Sequence, residues 1–262
     1  MICAVMTTNS YADTEEADIP FISNNDEKEL IEDDDFLLLS GVSLPSVSKT
    51  VSEYDMIKEL KQFSKDELRE KGFSQEDITA ISRPLKAKEH YGNVTYTITY
   101  DKMYQKNGET FLRTKMTWNW SKAPLNILTD IPAMTTSETF TKDSASAKVQ
   151  YYWYGNKKNK SSSSKPSVKP KNAGQGVYIK VTMGKNFDVS EHSYKEIALS
   201  GSITTSWSVS KKLKQVGIAS NYGHSIIVCT PSVSFGSSAS ISFTPSIKCK
   251  SGDEAYMKAT LK

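Results

Sequence analysis

The side chains able to do acid–base or metal chemistry are few and scattered. His90, His192 and His224 stand apart, at no spacing that suits a zinc site and without the partners of a hydrolytic triad. Glu191-His192 and Asp253-Glu254 read as solvated charged pairs in turns. The chain contains no Gly-x-Ser-x-Gly elbow, phosphate loop or dinucleotide fingerprint. The expectation is a protein that is not an enzyme and carries no metal or cofactor; an enzyme of unrecognised type is the last alternative.

Two sets of residues suit binding. Trp118, Trp120, Tyr151, Tyr152, Trp153 and Tyr154 are flat rings of the kind that stack on sugar faces. Alternation places Trp118 and Trp120 on one strand face, and Tyr152 and Tyr154 opposite Tyr151 and Trp153. The set reads first as sandwich core and second as a glycan platform using Trp118, Trp120, Tyr152, Trp153 and Tyr154. The other set is Lys157, Lys158, Lys160, Lys165, Lys169 and Lys171, in a Ser- and Pro-rich run over 156–176. Such a run reads as a mobile basic loop whose positive field attracts polyanions of a cell envelope. No nucleic-acid partner is expected.

The formal charge of +3 hides a split. Asp13 to Asp35 holds eleven acids against Lys28 alone, a charge of −10, so the rest of the chain carries +13. Residues 13–51 read as an acidic flexible leader, pinned by Phe36-Leu37-Leu38-Leu39 and able to fold back over the basic loop. Met1 to Ala12 ends in Ser10-Tyr11-Ala12, a small-x-small pattern, and reads as the tail of a signal peptide. Cleavage there would remove Cys3 and leave Cys229 and Cys249 in an oxidising exterior. No segment is long and apolar enough to cross a membrane as a helix.

From the helical signals at 52–88 come three possible capping boxes, starting at Ser52, Ser64 and Ser74. The run Leu60 to Ile78, with Ser64-Lys65-Asp66-Glu67, Gly72 and Ser74-Gln75-Glu76-Asp77 inside it, resembles a helical segment near the N-termini of exported, uncharacterised proteins of Gram-positive bacteria. Trp118-Asn119-Trp120-Ser121-Lys122-Ala123-Pro124 to Thr129-Asp130 is similar to the first half of the β-region in some of them. The resemblance implies export and brings no activity with it.

Strand signals fill residues 89–262. Ile227 to Phe235 and Ile241 to Cys249 alternate apolar and hydroxyl residues, which predicts a hairpin with one apolar and one hydroxyl face. Centred on Ser237, it sets Cys229 opposite Pro245 and leaves Cys249 too far away to bridge, so two buried thiols are expected. The same alternation is similar to hairpins that line membrane barrels, but Pro231 and Pro245 each remove a ladder donor. A pore-forming or toxin-like protein is therefore an alternative and not the first reading. Around Asn107-Gly108, one buried face requires Tyr96 opposite Trp118 and Ile98 opposite Met116, which predicts a three-residue turn. Met134 to Thr141 and Ala147 to Tyr154 read as a second pair. The fold class is mainly β, an antiparallel β-sandwich of about nine or ten strands preceded by a small helical segment. The function expected of it is that of an exported surface or secreted binding module for a glycan or anionic envelope polymer.

Overall fold

The computed structural model describes residues 45–261 apart from 172–174, 228, 230, 237–238 and 245–247. The signal-peptide reading at 1–12 and the leader reading up to residue 44 lie outside the described residues. Ser43–Lys262 form one compact unit, so the helical segment and the strands are not separate bodies.

The chain enters through β1 (Ser46–Ser52) and three helices, α1 (Glu53–Leu60), α2 (Lys65–Glu70) and α3 (Gln75–Ser82). The long strands β2 (Asn93–Lys106) and β3 (Glu109–Trp120) follow, then β4 (Thr129–Thr136) and β5 (Thr141–Trp153). Five shorter strands come next: β6 (Lys160–Ser164), β7 (Lys169–Lys171), β8 (Gly176–Tyr178), β9 (Val181–Thr182) and β10 (Gly184–Asp188). The last third holds β11 (Ser193–Val209), β12 (Gln215–Ser225), β13 (Ser232–Gly236), β14 (Ser240–Thr244), β15 (Cys249–Lys250) and β16 (Ala255–Thr260). Several of these strands have only two or three residues, too weakly patterned to read from sequence.

The protein is an antiparallel β-sandwich. One sheet runs β1-β2-β3-β11-β5-β6, with β10 also on β11; the other runs β15-β12-β4-β8-β7, with β16 on β12 and β9 on β4. Alternation supplies the core between them. Val94, Tyr96, Ile98, Met116, Trp118, Trp120, Val149, Ile203 and Trp207 face inward from the first sheet, against Met134, Val177, Ile218 and Tyr222 from the second. The β13–β14 hairpin joins neither sheet and forms a third layer. Its Val233, Phe235, Ile241 and Phe243 pack on Ile131, Ala133 and Cys249. Two glycines make that docking possible: a Cβ on Gly176 would meet the Phe235 ring at 2.6 Å, and one on Gly223 the Phe243 ring at 2.7 Å.

The helical segment closes one end. Met56, Leu60, Leu68, Phe73, Ile78 and Ile81 bury themselves with Ile226 and Ile227 of the strand region. The boxes at Ser64 with Glu67 and Ser74 with Asp77 form as expected. The one at Ser52 does not: its side chain makes no cap bond, and the Glu53 amide donates instead to Gly92 O at 3.1 Å.

Several expectations are corrected. β1 occupies residues assigned to the leader, pairing along its whole length with β2. The basic run is not simply a mobile loop, because β6 pairs with β5 in the first sheet and β7 with β8 in the second. β4 and β5 are not partners; the chain crosses from one sheet to the other between them. The turn after β2 has two residues, with Asn107 at φ 53 and Gly108 at φ 87, not three. The inferred pairs Tyr96 with Trp118 and Ile98 with Met116 nevertheless form, because a bulge between Tyr100 and Lys102 absorbs the odd residue. In the β13–β14 hairpin Ser234 pairs with Ser242, a shift of two along the partner strand from a register centred on Ser237. A shift of two preserves parity, so the apolar face survives. Cys249 lies in β15, opposite Ser225 of β12, and outside the hairpin ladder. Cys229 and Cys249 are free thiols, half-buried and buried respectively.

Candidate functional site

Two arrangements stand out, one buried and one on the surface. The buried one joins three distant parts of the chain: Glu53 at the start of α1, Asp130 in β4 and His224 in β12, all with no solvent exposure. His224 Nδ1 lies 2.9 Å from Asp130 Oδ1, and Nε2 lies 3.5 Å from Glu53 Oε1, an ion-pair distance too long and misaligned for a hydrogen bond. Glu53 accepts from the Leu125 and Asn126 amides and from Asn126 Nδ2, each at 2.9 Å. Asp130 accepts from the Tyr222 hydroxyl at 2.8 Å and from the Ser225 amide at 3.2 Å. Tyr222 in turn accepts from Trp120 Nε1 at 3.1 Å.

Burial works against a charged His224, but Asp130 and Glu53 outweigh it and push its pKa to about 10. Burial also works against an ionised Glu53, yet His224 and the two amides hold its carboxyl below the usual range. The imidazolium thus sits between two carboxylates as a structural clamp of helix to sandwich. The sequence reading of isolated histidines missed this cluster, since nothing in the spacing of Glu53, Asp130 and His224 signals it. Among the described residues, no group of His, Cys, Asp or Glu is arranged to hold a metal ion.

The surface arrangement is the outer face of the first sheet. Here Thr95, Thr97 and Thr99 of β2 and Lys115, Thr117 and Asn119 of β3 are exposed or half-exposed, opposite the core face of each strand. The face continues through Ser200, Ser202 and Thr204 of β11 and Lys148 of β5. At its centre lies an open cleft of about 370 Å³ lined by Lys115, Thr117, Trp118, Lys148, Gln150, Tyr152, Lys160, Ser200, Gly201 and Ser202. Behind its floor residue 201 is glycine because the Trp118 indole packs there on the core side: a Cβ would meet Trp118 Cζ2 at 2.2 Å and Lys148 O at 2.6 Å. The registers Trp118 with Gly201 and Gly201 with Val149 place that glycine in the middle of three strands.

The structure divides the anticipated site residues. Trp118, Trp120 and Tyr152 are core residues, whereas Trp153 and Tyr154 are 43% and 56% exposed, so the five do not make one stacking platform. Tyr151 and Tyr152 are both buried although they are neighbours in one strand; the Tyr152 hydroxyl lies 3.3 Å from Ser200 Oγ of β11. Of the lysines, Lys157 is committed, donating to Asn119 Oδ1 at 2.7 Å and Trp120 O at 2.8 Å. Lys158 and Lys165 are exposed, and Lys169 and Lys171 lie on β7 at an edge of the second sheet. Lys160 alone of the six lines the cleft, where it joins Trp118 and Tyr152 from the aromatic set. Lys115, Lys148 and Gly201 were not anticipated; for the two lysines the available signal was their polar parity in otherwise apolar-alternating strands, whereas Gly201 shares the core parity of Ile203.

No family model matches the chain, and no curated protein matches its sequence. Solved structures give weak resemblances. A collagen-binding domain from a Staphylococcus aureus adhesin shares 7% identity over 48% of this chain and 82% of its own, with a TM-score of 0.27. Clostridium perfringens delta-toxin shares 5% identity over 82% of this chain and 87% of its own, with a TM-score of 0.23. A collagen-binding domain of an Erysipelothrix rhusiopathiae surface protein shares 12% identity over 64% of this chain and 66% of its own, with a TM-score of 0.21. Superpositions at this level carry no argument about ligand or mechanism.

Proposed function

We propose that this protein is an exported, non-enzymatic binding module that works through the outer face of its first sheet, with a cell-surface glycan or anionic envelope polymer as its class of ligand. The observation that carries the reading is that face: hydroxyls, amides and lysines spread over β2, β3, β11 and β5 around one open cleft. A broad polar surface of this kind suits recognition of a polar chain better than turnover of an enclosed substrate. The basic body adds long-range attraction that salt would screen.

The test is co-sedimentation of the purified protein with washed Gram-positive cell walls at low and high salt. Sedimentation at low salt and release at high salt is expected. Protein that stays in the supernatant at every salt concentration would overturn the reading. A second reading, a pore-forming protein, draws on the β13–β14 hairpin, whose exposed Ser232, Ser240, Ser242 and Thr244 alternate with buried Val233, Phe235, Ile241 and Phe243. Dye release from liposomes would favour it over the binding module.

A further inference from the structure

We infer that the cleft over Gly201 binds an acidic polysaccharide, a chain offering both repeated anionic groups and free hydroxyls. This rests on the binding-module reading and names its site and ligand chemistry. The cleft is lined by three lysines and by no carboxylate. Elsewhere on the surface lysines are paired, as Lys195 is with Asp188 at 2.9 Å, Lys211 with Glu138 at 2.6 Å and Lys250 with Glu59 at 2.6 Å. Among the described residues, no ion pair engages Lys115, Lys148 or Lys160, and all three are exposed. Three unneutralised cations around one depression favour an anion.

The neutral lining decides what kind of anion. Gln150 Nε2 already donates to Tyr151 O and Ser162 O, both at 2.9 Å, so its carbonyl oxygen is what remains to offer. That oxygen accepts a hydrogen bond, which a sugar hydroxyl supplies and a bare sulfate cannot. Thr117, Ser200 and Ser202 can donate to or accept from the same ligand. Trp118 forms part of the wall, and its buried Nε1 has no hydrogen-bond partner among the described residues.

Size and spacing favour a polymer. Lys115 pairs with Thr204 and Lys148 with Ser202, which puts the two lysines on strands either side of β11 and two residues apart along it. With strands about 4.8 Å apart and residues about 3.4 Å apart, their Cα atoms stand about 12 Å from each other. Extended side chains from Cα atoms that far apart can hold anionic groups on successive units of one chain. Exposed lysine contacts are individually weak, so useful affinity requires several at once on a chain that passes across the cleft.

The experiment is affinity electrophoresis of the intact protein through gels containing dextran sulfate, neutral dextran or duplex DNA, with inorganic phosphate as a competitor. Three proteins are compared: the unaltered chain, the triple variant K115Q/K148Q/K160Q, and the control K106Q/K212Q/K258Q, which alters exposed lysines outside the cleft. Dextran sulfate is expected to retard the unaltered and control proteins, and the cleft variant roughly tenfold less tightly. Neutral dextran should not retard the protein, and inorganic phosphate should compete only poorly. Equal losses in the two triple variants, equal retardation by DNA, or no retardation by dextran sulfate would each overturn the inference. Binding to cell walls without dextran sulfate binding would sink the inference and leave the module reading standing; failure of wall binding would sink the module reading itself.

Discussion

At the scale of single residues, His224 carries a buried charge whose titration bears on the stability of the fold. Its folded pKa of about 10 exceeds the ordinary 6.5, so the folded protein holds this proton more tightly than the unfolded chain. That contribution is complete below about pH 6.5 and is lost as pH rises towards 10. Glu53 has the opposite sign: its carboxyl is held below the ordinary 4.5, and its contribution fades as pH falls beneath that value. Cys249, pushed up by burial to about 12, adds a further loss only above its ordinary 9, which leaves the window from 6.5 to 9 to His224. H224Q removes the cation and leaves two buried carboxylates facing a neutral amide, at a cost of roughly 3–5 kcal/mol near neutrality. Urea unfolding from pH 5 to 9 checks this. The unaltered protein should weaken above neutrality, whereas H224Q should lose that slope and recover on acidification as one carboxyl takes up a proton. An unchanged slope in H224Q would show that another group sets it.

At the scale of elements, the β2–β3 hairpin shows how two local demands are reconciled. The buried parity of Tyr96, Ile98, Met116 and Trp118 requires one register, while Asn107-Gly108 favours a two-residue turn that requires another. The bulge at residue 101 lets both hold, and no residue type there announces it. Face and turn type were thus each legible in the sequence, and the bulge that reconciles them was not. Asn107 sits at φ 53, where asparagine is tolerated and a Cβ without a compensating side-chain amide is penalised. N107A should lose about 1 kcal/mol and N107G almost nothing, as thermal melts would read. Equal losses in both would place the constraint in the side chain and not in the backbone.

The same limit explains what else escaped the sequence. Alternation tells which side chains share a face but not which strands are neighbours, so β4 and β5 read as partners although β11 and β6 are the true neighbours of β5. The cleft lysines come from β3, β5 and β6, and only the insertion of β11 between β3 and β5 brings Lys115 and Lys148 around Gly201. By contrast, the boxes at Ser64 and Ser74 involve residues three apart, and both were readable because they depend on no tertiary partner.

At the scale of the whole molecule, the boundary between helices and strands that composition suggests near residue 88 does not divide the protein. β1 covers the edge of β2 from Ser46 opposite Thr99 to Ser52 opposite Asn93. The helices cover Ile226 and Ile227, which are 5% and 7% exposed in their presence. Glu53 supplies the acceptor for three donors around residues 125 and 126 as well as a counter-charge for His224. A chain from Glu89 to Lys262 would therefore bare a sheet edge, uncover an apolar patch and leave the Leu125 and Asn126 donors without their carboxylate at once. These losses fall on one compact unit and reinforce one another. The shortened chain is expected to aggregate or to lose the near-ultraviolet circular dichroism of its packed tryptophans, while the full chain keeps both solubility and signal. If the shortened chain stayed monomeric with an unchanged spectrum and a urea midpoint equal to that of the full protein, the helical segment would be an accessory and the sandwich would stand alone.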